Sequence, residues 1–403
     1  MHQLLSIVNM ADTSILMPGA FPPQVLHEEG LEKTYHALNN VTDAAGANDK
    51  DPQSHLQKPA DHDSSHGWLA RYLPSREYVQ QMENSYHLGN WVRDRQTNAK
   101  SWEAMPIYVR LGMHLLYYGT YQERLLSTKK VIGMLEAQTE KMGEQYDDPA
   151  SKAHIQPFIE SFQLQGTLEQ LLEPDPEKYH NFNEFFARGL KDGARPIDEP
   201  ENENVTSSPA DCRLTAFPTI TEATQFWVKG ANFTMERLFE DKAMADQFDG
   251  GSMVIARLAP QDYHRWHSPV SGTVKSTKEI PGTYYTVNPQ AINQEGTINV
   301  YCENRRSVMI VERVGTGSQI AIVAIGAMLV GSIKYVDGVE QPGSQIKRGQ
   351  CLGKFLYGGS TVLVFYPRGE ITVDEDIAKY STDPAGPCET LVRVGERIGI
   401  TQK

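Results

Sequence analysis

The chain has 403 residues, 39% hydrophobic and 22% charged, with a formal charge of −13 at pH 7. That length predicts two structural units, and the apolar share excludes global disorder. The acidic balance excludes the nucleic-acid backbone as the main partner, because phosphate binding needs clustered Lys and Arg; a membrane partner served by a local patch stays open.

Residues 1–66 read as a poorly ordered leader, because Asn48 to His66 is polar and has no period that could bury a face. His55, His62 and His66 suit no regular element, so no metal site is expected there. No basic region precedes Leu4, so the N-terminus fails as a secretory signal. The protein is expected on the cytosolic side, soluble or peripherally attached to an endomembrane, and not secreted.

Residues 67–195 read as helical. Ile107, Leu111, Leu115 and Tyr118 recur at helical steps, and Thr128 to Lys141 and Ile155 to Phe162 continue the theme. Met105 to Tyr118 is apolar nearly all round, which suits either a buried core helix or a helix lying on lipid.

After Arg195-Pro196 short β-branched runs alternate with Gly, Pro, Asn and Asp, so residues 196–403 predict a mainly antiparallel β domain. The fold class expected is therefore α+β, a helical N-terminal region followed by β structure. Within the latter, Val339 to Phe355 has the look of a hammerhead-like β-sandwich. Ile320 to Gly331 is the longest apolar run and too short to cross a bilayer as a helix. Cys212, Cys302, Cys351 and Cys388 show no metal-ligand spacing and read as reduced thiols.

Three segments concentrate reactive groups: Ser207 to Cys212 with Asp211, Arg257 to His267 with Asp262, His264 and His267, and Gly358-Gly359-Ser360-Thr361 between two strand-like runs. Each is weak alone. Together, Ser, His and Asp permit hydroxyl activation, in which a base takes the serine proton and an acid fixes the base's tautomer. No G-x-S-x-G elbow is present, which counts against an α/β-hydrolase.

Taken in order, the blocks FNEFFARGLKDGARPID (Phe182 to Asp198), SSPADCRL, FWVKG, RLAPQDYHRWHSPVSG, YTVNP, AIGAMLVGSI and GKFLYGGSTVLVF make the chain resemble the phosphatidylserine decarboxylases, pyruvoyl-dependent enzymes that produce phosphatidylethanolamine. The likeness runs from about Met105 to Val394 and is nearest the soluble-bodied eukaryotic type.

The resemblance implies self-cleavage between Gly359 and Ser360, giving a β chain (1–359) and an α chain (360–403) that stay associated. Ser360 becomes the pyruvoyl group, a covalent cofactor that takes up the electron pair left when carbon dioxide departs. It further implies that His267 is the base for Ser360, that Asp211 orients His267, and that His264 serves the later decarboxylation. Asp262, close to the histidines in sequence, is the rival acid. Cys212 and Gly358 depart from the family's usual residues without removing a reacting group.

Tyr263, Trp266, Tyr284 and Tyr285 are candidate substrate contacts, although aromatic residues near strands also serve as core. The implied partners are a phospholipid and a membrane surface, with no nucleic acid; a homodimer is compatible with the sequence. Some fungal relatives act on free aromatic amino acids such as tryptophan, so that substrate is the alternative.

Overall fold

A computed structural model describes residues 89–104, 143–228, 233–285, 299–327, 332–356, 360–383 and 387–401. The leader 1–66, the segments 105–118 and 128–141, and Gly358 and Gly359 lie outside the described residues.

Sixteen strands are described. In chain order they are β1 (Gly89–Asp94), β2 (Lys100–Ala104), β3 (Val205–Ser207), β4 (Cys212–Phe217), β5 (Ser252–Leu258), β6 (Arg265–His267), β7 (Gly272–Ile280) and β8 (Arg306–Arg313). There follow β9 (Gln319–Ile325), β10 (Ser332–Tyr335), β11 (Gln345–Ile346), β12 (Cys351–Leu356), β13 (Ser360–Tyr366), β14 (Thr372–Val373), β15 (Glu389–Val392) and β16 (Arg397–Ile400).

Ten of them form one sheet in the order β11-β7-β8-β9-β13-β5-β4-β15-β1-β2, antiparallel throughout except for the parallel pair β1–β15. Two three-stranded sheets, β10-β12-β6 and β14-β16-β3, complete the β structure described. The mixed α+β class with mainly antiparallel sheets is as the sequence predicts.

Strand β13 (STVLVFY) holds the middle of the large sheet, between β9 and β5, and all seven of its residues are buried. A strand covered on both faces has no reason to alternate, which is why β13, β5 and β4 are buried at every position. The longest apolar run of the sequence lands in the same layer, with Ile320 to Ile325 in β9. Phe365 of β13 meets Phe239 and Phe248 at ring-centroid distances of 5.6 and 6.3 Å. Phe365→Ala should therefore cost about 3–5 kcal/mol of stability, read as a lower denaturant midpoint at unchanged m-value.

The N-terminal part departs from the helical expectation. Residues 89–104 form a β-hairpin that joins the large sheet, Val92 pairing with Glu389. The segment is too short to show a helical period, and its alternation is what places Val92 inward and leaves Trp91 exposed. The change of character at Arg195-Pro196 is thus not a boundary of the sheet.

Ile155–Ser161 (α1) is helical as expected, and Phe182–Phe186 (α2) is a short helix capped by the Asn181 side chain, which accepts from Glu184 N–H. Both pack in a second core of Tyr146, Phe158, Phe162, Tyr179, Phe182, Phe185 and Phe186. That core abuts the region described next through Phe186.

Candidate active site

Ser360 opens β13, opposite Leu258 of β5, and is fully buried. The turn after β5 then carries His264 back to it: Nδ1 of His264 lies 3.2 Å from Ser360 Oγ. The other ring nitrogen, Nε2, is 2.9 Å from the Ala259 carbonyl. A carbonyl only accepts, so Nε2 carries the proton and the Nδ1 lone pair faces the serine hydroxyl.

Phe186 stacks on the imidazole at 3.9 Å between centroids, closing the site from the side of the aromatic core. Burial, reinforced by the positive charges of Arg188 and Arg213, lowers the His264 pKa to about 3. His264 is a neutral imidazole at physiological pH.

His267 ends β6 and sits across from Cys351 of β12. Its Nδ1 lies 2.8 Å from the Gly349 carbonyl and donates to it, and its Nε2 is buried with no hydrogen-bond partner among the described residues. Burial lowers the His267 pKa; the Gly349 contact and the charge of Asp211 oppose the shift, while Arg265 and Arg195 add to it. The two histidines are therefore set apart by their surroundings. Arginines bear on both rings, and Asp211 adds a carboxylate beside His267.

Asp211 follows the Ser208–Ala210 turn that leads into β4. Arg195 grips both its oxygens, Nε at 2.9 Å from each and Nη2 at 2.6 Å from Oδ2, and Val394 N–H donates to Oδ1 at 2.9 Å. The arrangement differs from the one the sequence suggests in two contacts. The hydrogen bond to Ser360 is made by His264, and Asp211 reaches His267 by charge rather than by a hydrogen bond, because Gly349 already holds Nδ1.

Of the four aromatic candidates, Tyr263 has a described contact with a site residue, its ring 5.6 Å from that of His267. Trp266 is core, packed on Phe355 and Tyr335. Tyr285 is buried against Asn304, which exchanges hydrogen bonds with its backbone, and Tyr284 is half-buried.

Several residues around the site carry no motif of their own. Arg188 donates from Nη2 to the carbonyls of Gln261 and Asp262, at 3.1 and 3.2 Å. Phe186, Arg188 and Arg195 all fall within FNEFFARGLKDGARPID, so the signal was present, but nothing in the sequence assigns them a task. Near them a cleft of about 390 Å³ is lined by Leu172, Gly189, Arg265, Lys354 and Leu356, among others. Leu172 stands 71% exposed on its rim.

Comparison with known proteins bears on what such a site does. The family described as phosphatidylserine decarboxylase matches residues 182–400, more than half of the chain. The chain is 40% identical over 333 residues to phosphatidylserine decarboxylase proenzyme 3 of Schizosaccharomyces pombe, covering 82% of this chain and 33% of that protein. It is 38% identical over 348 residues to phosphatidylserine decarboxylase proenzyme 2 of Oryza sativa subsp. japonica, covering 85% and 54%. With the phosphatidylserine decarboxylase proenzyme of Fusobacterium nucleatum the identity is 39% over 257 residues, 64% of this chain and 81% of that one. The chain thus spans between a third and about half of the eukaryotic relatives named here.

Proposed function

The chain belongs to the phosphatidylserine decarboxylase family, and on that premise we propose that it is a proenzyme that cleaves itself before Ser360 and then converts phosphatidylserine to phosphatidylethanolamine and carbon dioxide. The observation that carries this reading is the buried Ser360 hydroxyl held on the lone pair of a neutral imidazole.

In the cleavage, Ser360 Oγ gives its proton to a base and attacks the preceding carbonyl carbon. The C–O bond forms as the C–N bond breaks, so residue 360 keeps a free amine and its side chain becomes an ester. Loss of the α-proton expels the carboxylate of residue 359, and water replaces the resulting imine nitrogen, releasing ammonia. A pyruvoyl group so formed supplies an electron sink for decarboxylation.

His267 is the better base for the first step. Its Nε2 lone pair has no partner among the described residues and Asp211 favours its protonation, whereas His264 has arginines beside it and takes up a proton poorly. His264 holds the serine hydroxyl beforehand and serves the decarboxylation afterwards. Asp211, held in place by Arg195, is the carboxylate whose field reaches His267.

Scission before β13 leaves that strand hydrogen-bonded to β5 and β9 on either side, so fragments 1–359 and 360–403 remain together. In the cleft beside Leu356, which Asp147, Glu173 and Glu184 also line, Arg265 and Lys354 offer cations to a headgroup phosphate and Leu172 stands on the rim towards acyl chains. Such a substrate resides in a bilayer, so the enzyme works attached to the cytosolic side of a membrane; no described helix is long and apolar enough to cross one.

The test is carbon dioxide release from phosphatidylserine in detergent micelles, run beside free tryptophan in buffer, with a denaturing gel of the same preparation. Two fragments and release from the lipid are expected. Release from tryptophan alone would overturn the substrate, and a single band would overturn the chemistry.

A further inference from the structure

Five charged side chains cluster under the turn that carries His264: Arg213, Arg257 and Glu389 are buried, and Asp262 and Glu103 partly so. Arg213 Nη1 lies 2.5 Å from both oxygens of Asp262, and its Nε and Nη2 meet Glu103 Oε1 at 2.9 and 2.5 Å. Arg257 reaches Glu389 at 2.7 and 2.6 Å and Glu103 Oε2 at 3.4 Å. Taking three carboxylates and two guanidiniums out of water costs about as much as their mutual attraction returns, and apolar residues would stabilise such a spot equally well. The array is therefore better explained by what it fixes than by the stability it contributes.

What it fixes is the Ala259–His264 turn. Asp262 Oδ2 accepts from Ala259 N–H at 2.8 Å, and Asp262 N–H donates to the Ala259 carbonyl at 2.9 Å. That same carbonyl accepts from His264 Nε2–H. Arg188 holds the other side of the turn through the Gln261 and Asp262 carbonyls. A continuous chain of contacts therefore leads from Arg213 through Asp262 and Ala259 to the imidazole, and ends at Ser360 Oγ.

We propose that Asp262 is a positioning residue, which anchors the Ala259 carbonyl so that His264 keeps its proton on Nε2 and turns Nδ1 towards residue 360. It does not touch the reacting atoms; it acts through His264. The inference rests on the reading above, in which His264 and Ser360 serve the reaction.

The test is Asp262→Asn in the full chain, which keeps an oxygen for Ala259 N–H but removes the charge that Arg213 grips. Turnover per cleaved chain should fall about 10–100-fold with KM nearly unchanged. The double variant Asp262→Asn/His264→Ala should be no slower than His264→Ala, since both act through one imidazole. Losses that multiply instead would overturn the proposal, because a merely structural role is independent of His264.

Nitrogen NMR of histidine-labelled protein gives a second readout that needs neither turnover nor a stable variant. Wild-type His264 should show a protonated Nε2 and a bare Nδ1, and the variant a mixture of tautomers. A wild-type proton on Nδ1, or an unchanged pattern in a folded variant, would refute it. If the wild type releases no carbon dioxide from any substrate, the functional reading fails and the tautomer still decides this one.

Discussion

Ser360→Ala should purify as one unbroken 403-residue chain, with no carbon dioxide release above background. The substitution takes away the nucleophile and with it the source of the pyruvoyl group, so both scission and turnover should vanish together. It leaves the fold almost untouched. Residue 360 is a strand position with a small buried side chain, and its backbone pairs with Leu258 whatever that side chain is. The loss is one hydroxyl and its contact with His264 Nδ1, about 1–3 kcal/mol if the nitrogen is left unsatisfied. A melting curve close to wild type beside an intact band would separate lost chemistry from lost folding. Two fragments from the variant would refute Ser360 as the reacting residue.

Much of this site is legible in the sequence because its parts lie in short segments with their own signatures. The run VLVFYP predicts a strand, and a strand beginning at Ser360 sets that residue opposite Leu258 at the end of β5, just before the turn that leads to the DYHRWH segment. Helix α1 is likewise visible as a periodic stretch. The hairpin 89–104 is not, since its two strands are short and its place beside β15 depends on a partner nearly three hundred residues on.

The buried ion array is illegible for the same reason. Arg213 and Arg257 stand directly opposite one another on β4 and β5, a like-charge pairing that is destabilising alone. It becomes tolerable only because β2 brings Glu103, β15 brings Glu389 and the turn brings Asp262. No spacing in the chain announces a contact that sheet register alone creates.

The partition between the two histidines is the sharpest test of the electrostatics. His267→Ala should slow self-cleavage by about 10²–10⁴-fold, the range that a positioned base contributes, and full-length chain should accumulate in a time course. His264→Ala should still cleave, within about tenfold of wild type, yet its processed form should lose turnover by about 10²–10⁴-fold. Distance does not assign the two roles, since His264 is the ring in contact with Ser360. Proton affinity does. A base buried among arginines, with a pKa of about 3, accepts a proton at a steep cost, whereas Asp211 lessens that cost for His267. The route needs the serine hydroxyl to turn from Nδ1 of His264 towards Nε2 of His267, whose lone pair has no other engagement among the described residues. Were His264→Ala to stay uncut while His267→Ala cleaved normally, the resting contact would be the reacting one and the assignment of the two rings would reverse.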